Sequence, residues 1–175
     1  MLSQEDKSTL LDLARATVAA TARGERPPEP RNPSGPLREK GAVFVTLRVG
    51  GDLRGCIGHV EAVESLWKSV RDMAQAAAER DSRFSPVSPE ELPGMTIDLS
   101  ILSPLFPISP EEIRVGVHGL YVTHGEQSGL LLPQVAVEWG WDAREFLRHT
   151  FEKAGLPSSV PGARISAFTV ERCSS

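Results

Sequence analysis

The fold is decided by residues 42–58, which read AVFVTLRVGGDLRGCIG. The first eight of these residues are rich in β-branched and aromatic side chains, a composition typical of a strand. A glycine pair follows at Gly50-Gly51, and such a pair between two strand-like runs indicates a tight hairpin. We therefore expect residues 42–49 and 52–57 to form two adjacent antiparallel strands.

The returning strand contains two glycines, Gly55 and Gly58. Glycine leaves nothing to pack in a strand, and it often marks a bulge or a close approach by a backbone or a ligand. Cys56 lies between the two glycines, and Arg54 precedes it by two residues. Alternation along a strand predicts that the side chains of Arg54 and Cys56 share a face. A guanidinium beside a thiol stabilises the thiolate and offers a fork of donors to an anion.

Cys56 has two interpretations at this point. A free cysteine often behaves as a small buried hydrophobe, which would give the residue a structural role. The flanking glycines and Arg54 favour an accessible thiol that acts as a nucleophile or in redox chemistry. His59 is the nearest imidazole in sequence that could act as its base. The sequence leaves both interpretations open.

Apolar residues at helical spacing predict long helices over residues 4–22 and 63–79. The proline-rich segment 24–38 between the first helix and the hairpin predicts an irregular loop. The whole pattern indicates an α+β fold, one compact unit with a mixed, largely antiparallel sheet and about four helices. The remaining predicted elements are strands at 95–102, 119–123, 129–132 and 165–170, and helices at 133–139 and 142–154.

The bulk composition excludes several classes of protein. The chain has 175 residues, of which 40% are hydrophobic and 24% charged, as in ordinary globular domains. Its net charge of −4 gives no basic footprint for nucleic acid. No apolar run approaches the length of a membrane span and the N-terminus lacks a signal-peptide core, so we expect a cytoplasmic protein with Cys56 and Cys173 reduced. The four histidines do not form a metal-binding spacing with these cysteines, and we expect neither metal nor cofactor.

The segment Leu53–Gly58 resembles the signature hexapeptide of the AMMECR domain family, also called AmmeMemoRadiSam system protein A. The similarity covers nearly the whole chain, so residues 1–175 are interpreted as a single AMMECR domain. Further matches to the family follow in the right order, at Gly41–Leu47, Asp81–Pro86, Leu99–Pro104, Gly129–Val135 and Lys153–Leu156.

The resemblance implies a larger and a smaller lobe with a groove between them, lined by the signature hexapeptide. It also places Asp81 and Arg83 in a family motif, where an acidic and a basic group could orient a substrate or hold Arg54. The sequence therefore offers Cys56 and, with less support, His59 as catalytic candidates. The binding candidates are Arg54, Gly55, Gly58, Asp81 and Arg83.

The family name records an association with a Memo-like protein and a radical SAM enzyme, which implies a shared pathway. The first hypothesis is a ligand or substrate groove built around Leu53–Gly58, and whether the protein is an enzyme stays open. The alternative is a non-catalytic binding or adaptor module, whose glycine-rich strand pairs with a segment of a partner while Arg54 and Arg83 grip its acidic group. A nucleic-acid-linked regulator ranks last, because the sequence shows no helix-turn-helix, basic stripe or aromatic platform.

Overall fold

The computed structural model describes residues 2–175, and over that range it has five α-helices, two short 3-10 helices and eight strands. The α+β class is confirmed. The strands form two four-stranded antiparallel sheets, where the sequence analysis expected one. The chain divides into two compact units, one that extends to Leu102 and includes Glu171–Ser175, and a smaller one formed by Ser103–Val170.

The helices and strands carry the following labels. In chain order they are α1 (Gln4–Ala22), α2 (Gly35–Arg38), β1 (Ala42–Val49), β2 (Asp52–Gly58), α3 (Leu66–Glu79), β3 (Met95–Leu102), β4 (Phe106–Pro107), β5 (Gly119–His124), β6 (Gln127–Leu131), α4 (Pro133–Trp139), α5 (Ala143–Lys153), β7 (Arg164–Phe168) and β8 (Val170–Ser174); the 3-10 helices are Pro89–Gly94 and Pro110–Glu112.

The predicted hairpin is confirmed, with β1 and β2 antiparallel and Val49 opposite Asp52. Both turn glycines have positive φ, a conformation that suits glycine and tightens the hairpin. The sheet order is β2-β1-β3-β8, so β2 is an edge strand. The inward face of β1 supplies the fully buried Val43, Val45 and Leu47 to the core that this sheet forms with α1 and α3.

A β-bulge interrupts β2 beside the signature thiol. Gly55 lies opposite Leu47 and Leu53 lies opposite Arg48, so Arg54 has no partner on β1. An extra residue of this kind bends the strand and redirects side chains. The alternation that predicted a shared face for Arg54 and Cys56 is therefore broken at Arg54 itself.

The two signature glycines allow close packing. A Cβ on Gly55 would overlap the backbone carbonyl oxygen of Ala77 in α3, and a Cβ on Gly58 would overlap the ring of Phe44. The close approach that the sequence indicated at Gly55 is thus made by a helix backbone. Because Gly55 has no side chain, α3 can lie directly against the edge strand.

Three predicted elements differ from the structure. The loop predicted over 24–38 contains the short helix α2, which tolerates Pro36 because proline fits the first turn of a helix. The five-residue loop predicted at 124–128 is a tight turn with His124 opposite Gln127. The final strand predicted at 165–170 is two strands, β7 and β8, which belong to different sheets.

The second unit is built on the sheet β4-β7-β5-β6, which packs against α5. Phe146 and Thr150 of α5 are fully buried, and Phe151 nearly so. Asp142 is the N-cap of α5 and forms a capping box with Glu145. Across residues 2–175, no helix combines the length and the apolar character that crossing a membrane requires.

We predict that Gly55→Ala destabilises the protein by about 1–3 kcal/mol, the usual cost of forcing extra atoms into a packed site. The physical reason is the overlap of the new Cβ with the carbonyl oxygen of Ala77. Urea unfolding followed by far-UV circular dichroism measures the loss. Gly94→Ala is the matched control, because a Cβ there meets no atom within 4 Å. Equal stability of Gly55→Ala and the wild type would contradict the close-packing account.

Candidate functional site

Cys56 lies on the edge strand with its side chain directed away from the core. It is opposite Thr46 of β1, and its Sγ lies 3.3 Å from Thr46 Oγ1. The thiol is half-buried and does not belong to the hydrophobic cores, whereas Cys173 is buried in the core of the first unit. Cys56 is therefore not enclosed among aliphatic side chains, as a purely structural cysteine would be.

Asp81 fixes the backbone of Cys56. This carboxylate follows the end of α3, its side chain is only 4% exposed, and Oδ2 accepts the N–H of Cys56 at 2.9 Å. Arg83 donates to the same carboxylate from Nε at 2.9 Å and from Nη2 at 2.7 Å. Nη2 of Arg83 also reaches the carbonyl oxygen of Cys56 at 3.4 Å. The N–H and the carbonyl oxygen of Cys56, which face away from β1, are therefore both hydrogen-bonded. A partner strand cannot pair with this part of the sheet edge unless these bonds break.

The Asp81–Arg83 pair is an ion pair at neutral pH. Hydrogen bonds from Arg83, assisted by the Cys56 N–H, hold the pKa of the Asp81 carboxyl well below its usual range, although burial opposes this shift. In the other direction, the hydrogen bond to Asp81 raises the pKa of Arg83. A buried carboxylate is stable here because nearly every one of its hydrogen-bonding positions has a donor.

Arg54 is directed to a different partner from the one that the sequence suggested. Its Nε and Nη2 bind the two carboxylate oxygens of Glu91, at 2.5 and 3.0 Å. Nη1 donates to the carbonyl oxygen of Ser85 at 2.9 Å, and Nη2 to that of Pro86 at 3.3 Å. The side chain is 14% exposed. No hydrogen bond joins Arg54 to Cys56 within residues 2–175, and Arg54 instead fastens the segment 85–91 to the edge strand.

Glu91 is a site residue that the sequence analysis missed. Its Oε2 also accepts the N–H of Ser88 at 2.8 Å, which completes a capping box on the 3-10 helix Pro89–Gly94. The hydrogen bond from Arg54 lowers the pKa of Glu91. The spacing Ser88-x-x-Glu91 is a capping-box signature that the sequence does contain. The contact with Arg54, 37 residues away, had no local signal.

Phe84 joins the two arginines of the candidate site. The Cζ of Arg54 lies 5.8 Å from the centre of its ring, and the Cζ of Arg83 lies 5.5 Å from the same centre. Both distances are within the range of a cation–π interaction. The motif matched at Asp81–Pro86 therefore acts as a unit, with its carboxylate on the strand backbone and its ring between two guanidinium groups.

The structure does not connect His59 with Cys56. The imidazole Nδ1 of His59 lies 2.7 Å from the carbonyl oxygen of Glu61 and donates a hydrogen bond to it, because a carbonyl oxygen can only accept. No hydrogen bond joins His59 and Cys56 in the part of the chain that the structure describes. The role of His59 as a base stays a prediction.

A polar row crosses the outer face of the first sheet. It runs from Cys56 to Thr46, then to Asp98, which pairs with Thr46 across β1 and β3. Asp98 accepts a hydrogen bond from the hydroxyl of Ser174 on β8 at 2.5 Å, and Arg48 lies 3.7 Å from the same carboxylate. The sequence analysis missed Thr46, Asp98 and Ser174, because the row depends on pairing between distant strands.

Among residues 2–175, no group of three or more histidine, cysteine, aspartate or glutamate side chains has an arrangement that could hold a metal ion. The chemistry available at the site is that of a thiol, a hydroxyl, carboxylates and a guanidinium.

We predict that Asp81→Asn lowers the free energy of unfolding by about 1.5–3 kcal/mol at neutral pH, the range for a hydrogen bond to a charged group. Because the folded-state pKa of Asp81 is depressed, its stabilisation is present above the unfolded value of about 3.9 and is lost as pH falls through the folded value. The difference between wild type and Asp81→Asn should therefore stay constant near neutrality and narrow only in acid.

Urea titrations of both proteins from neutral to acid pH measure this difference. Asp12→Asn is the control, since Asp12 is exposed on α1 and makes no hydrogen bond through its side chain within the described residues. Equal free energies of unfolding for wild type and Asp81→Asn at neutral pH would contradict the ion-pair account of Asp81. A difference that does not become smaller in acid would contradict it as well.

Comparison with known proteins identifies the family. The AMMECR1 family model matches residues 11–173. A protein from Methanothermobacter thermautotrophicus is 42% identical over 97% of this chain and 94% of its own length, and Protein PF1979 from Pyrococcus furiosus is 45% identical over 93% and 84%. The crystal structure of uncharacterised protein PH0010 from Pyrococcus horikoshii matches with a TM-score of 0.90 and 38% identity, covering 98% of this chain and 92% of that one. The chain belongs to the AMMECR1 family.

Proposed function

We propose that this protein binds a ligand or substrate at a site built around Leu53–Gly58, with Cys56 as its reactive group. The observation that supports this proposal is the position of the thiol. It is half-buried on the polar face of a sheet, in contact with a hydroxyl, and its backbone is held by a buried carboxylate and a guanidinium. A cysteine that only fills space requires none of these polar partners.

Each neighbouring group has a defined role in the proposed site. The hydroxyl of Thr46 lies within hydrogen-bonding distance of the Cys56 sulfur and can donate to the negative charge that this sulfur carries when it reacts. Asp81 fixes the strand so that the sulfur keeps one position. Arg83 is 55% exposed, and no hydrogen bond within the described residues uses its Nη1, so these N–H groups bind an anionic part of the ligand.

The pathway in the proposal comes from the family resemblance. The family name associates such proteins with a Memo-like protein and a radical SAM enzyme, and we propose that this chain works in the same pathway. The site chemistry fits a small molecule with an anionic group and an electrophilic centre. The ligand would be passed between, or modified by, those partners.

The adaptor alternative requires a free strand edge, and the geometry at Cys56 does not favour it there. The outward N–H of Cys56 is bonded to Asp81, and its carbonyl oxygen to Arg83. A partner strand that added at this position would have to displace both. Arg54, which was expected to grip an acidic group of the partner, has four of its five N–H donors occupied.

We predict that iodoacetamide modifies Cys56 at least about tenfold faster than Cys173 in the folded protein, because thiolate character and access control the rate. Cys173 is buried, and burial raises its pKa. Intact and peptide mass spectrometry of the same sample measures both rates, so Cys173 is an internal control. Comparable rates at the two residues would contradict an accessible thiol at Cys56.

The same assay tests Thr46. We expect Thr46→Val to slow the alkylation of Cys56 by about two- to fivefold, because the reacting sulfur loses the neighbouring hydroxyl, and Thr46→Ser to retain the wild-type rate. An unchanged rate in Thr46→Val would show that the hydroxyl does not assist the reaction of this sulfur.

A metabolite screen tests the function itself. We expect a compound of the proposed class to raise the melting temperature of the wild type and not that of Cys56→Ala or Arg83→Gln, since a ligand stabilises only a state that binds it. Arg80→Gln is the control, because Arg80 is exposed and, among the described residues, forms an ion pair only with the adjacent Glu79. A ligand that stabilises all four proteins equally would place the binding site elsewhere.

A further inference from the structure

A cavity lies in the first unit, formed by α1, its C-cap residue Arg23, the 3-10 helix Pro89–Gly94 and β3. It has a volume of about 280 Å³ and is separate from the residues of the signature strand. Val18, Met95 and Ile97, all buried, form its apolar floor. The volume equals that of about nine liquid waters at ~30 Å³ each and lies at the lower end of the range for small-molecule sites.

The charge at the rim of this cavity is of one sign. Arg15 and Arg23 line it, and no acidic side chain does. Neither arginine forms an ion pair with any of residues 2–175, whereas six other arginines of the chain do. Two unpaired guanidinium groups beside an apolar floor attract an anion that also has an apolar part.

The helix geometry brings these groups to one side of the cavity. Arg15, Val18 and Ala19 have the i, i+3, i+4 spacing of one face of α1, and Arg23 is the C-cap residue one turn further along. Leu92 and Pro93 of the 3-10 helix also line the cavity. The same cavity therefore offers apolar lining to an alkyl chain and two guanidinium groups to a charged end.

We propose that this cavity binds a small carboxylate that carries a short alkyl chain. The apolar floor takes the chain, and Arg15 and Arg23 bind the carboxylate. A peptide segment or a lipid with two acyl chains is too large for a volume of about 280 Å³. The proposal is independent of the thiol site, because it shares no residue with it.

Isothermal titration calorimetry of the full chain with sodium octanoate tests this. We expect saturable binding of one molecule with a Kd on the order of 0.1 mM, as the size of such a ligand permits. Sodium acetate lacks the chain and 1-octanol lacks the charge, and each should bind at least about tenfold more weakly. Saturable binding that acetate or octanol matches would overturn the proposal, as would no saturable binding of octanoate.

Variants locate the binding. We expect Arg15→Gln and Arg23→Gln to weaken octanoate binding by about threefold each and by about tenfold together, while Arg38→Gln, an exposed arginine on α2, has no effect. Ala19→Leu fills the cavity and should abolish binding, and Ala16→Leu, exposed on the same helix, should not. Melting temperatures show that each variant is folded. Wild-type affinity in the double arginine variant would overturn the proposal whatever Ala19→Leu does.

Discussion

The carboxylate of Asp81 is the constraint on which the geometry of the signature strand depends. It is almost completely buried, and a charge in that position is tolerated only because Arg83 and the N–H of Cys56 both donate to it. Since β2 is an edge strand, the outward backbone groups of Cys56 would otherwise be open to water or to another strand. One ion pair therefore closes the sheet edge and fixes the residue that carries the thiol.

The position of Asp81 depends in turn on Gly55, because glycine has no side chain. Gly55 allows the backbone of α3 at Ala77 to lie against the strand, and Asp81 follows four residues later, just beyond the end of α3. A larger residue at Gly55 would move α3 outward and draw the carboxylate away from Cys56. Two motifs that are separated by 25 residues in sequence thus meet because of one glycine.

The sequence predicted what local patterns determine and missed what depends on long-range pairing. Strand composition and the glycine pair were enough to predict the hairpin. Strict alternation failed for Arg54, because a bulge depends on how β2 fits its neighbours and leaves no signal beyond the glycine. The partner of Arg54 could not be predicted either, although the capping box that contains Glu91 is visible in the sequence. Asp98 could not be predicted as a site residue, because only the pairing of β3 with β1 brings its carboxylate beside Thr46.

The 3-10 helix Pro89–Gly94 contacts both the thiol region and the cavity beside α1. Its Glu91 holds Arg54, and the next two residues, Leu92 and Pro93, form a wall of the cavity. Coupling between two sites requires an element with two discrete arrangements. This helix has two prolines, which fix φ, and a bidentate ion pair at its centre, so a single arrangement is strongly favoured. The shared helix therefore supports both regions as one fixed element, and we expect a ligand in the cavity to leave the edge strand unchanged.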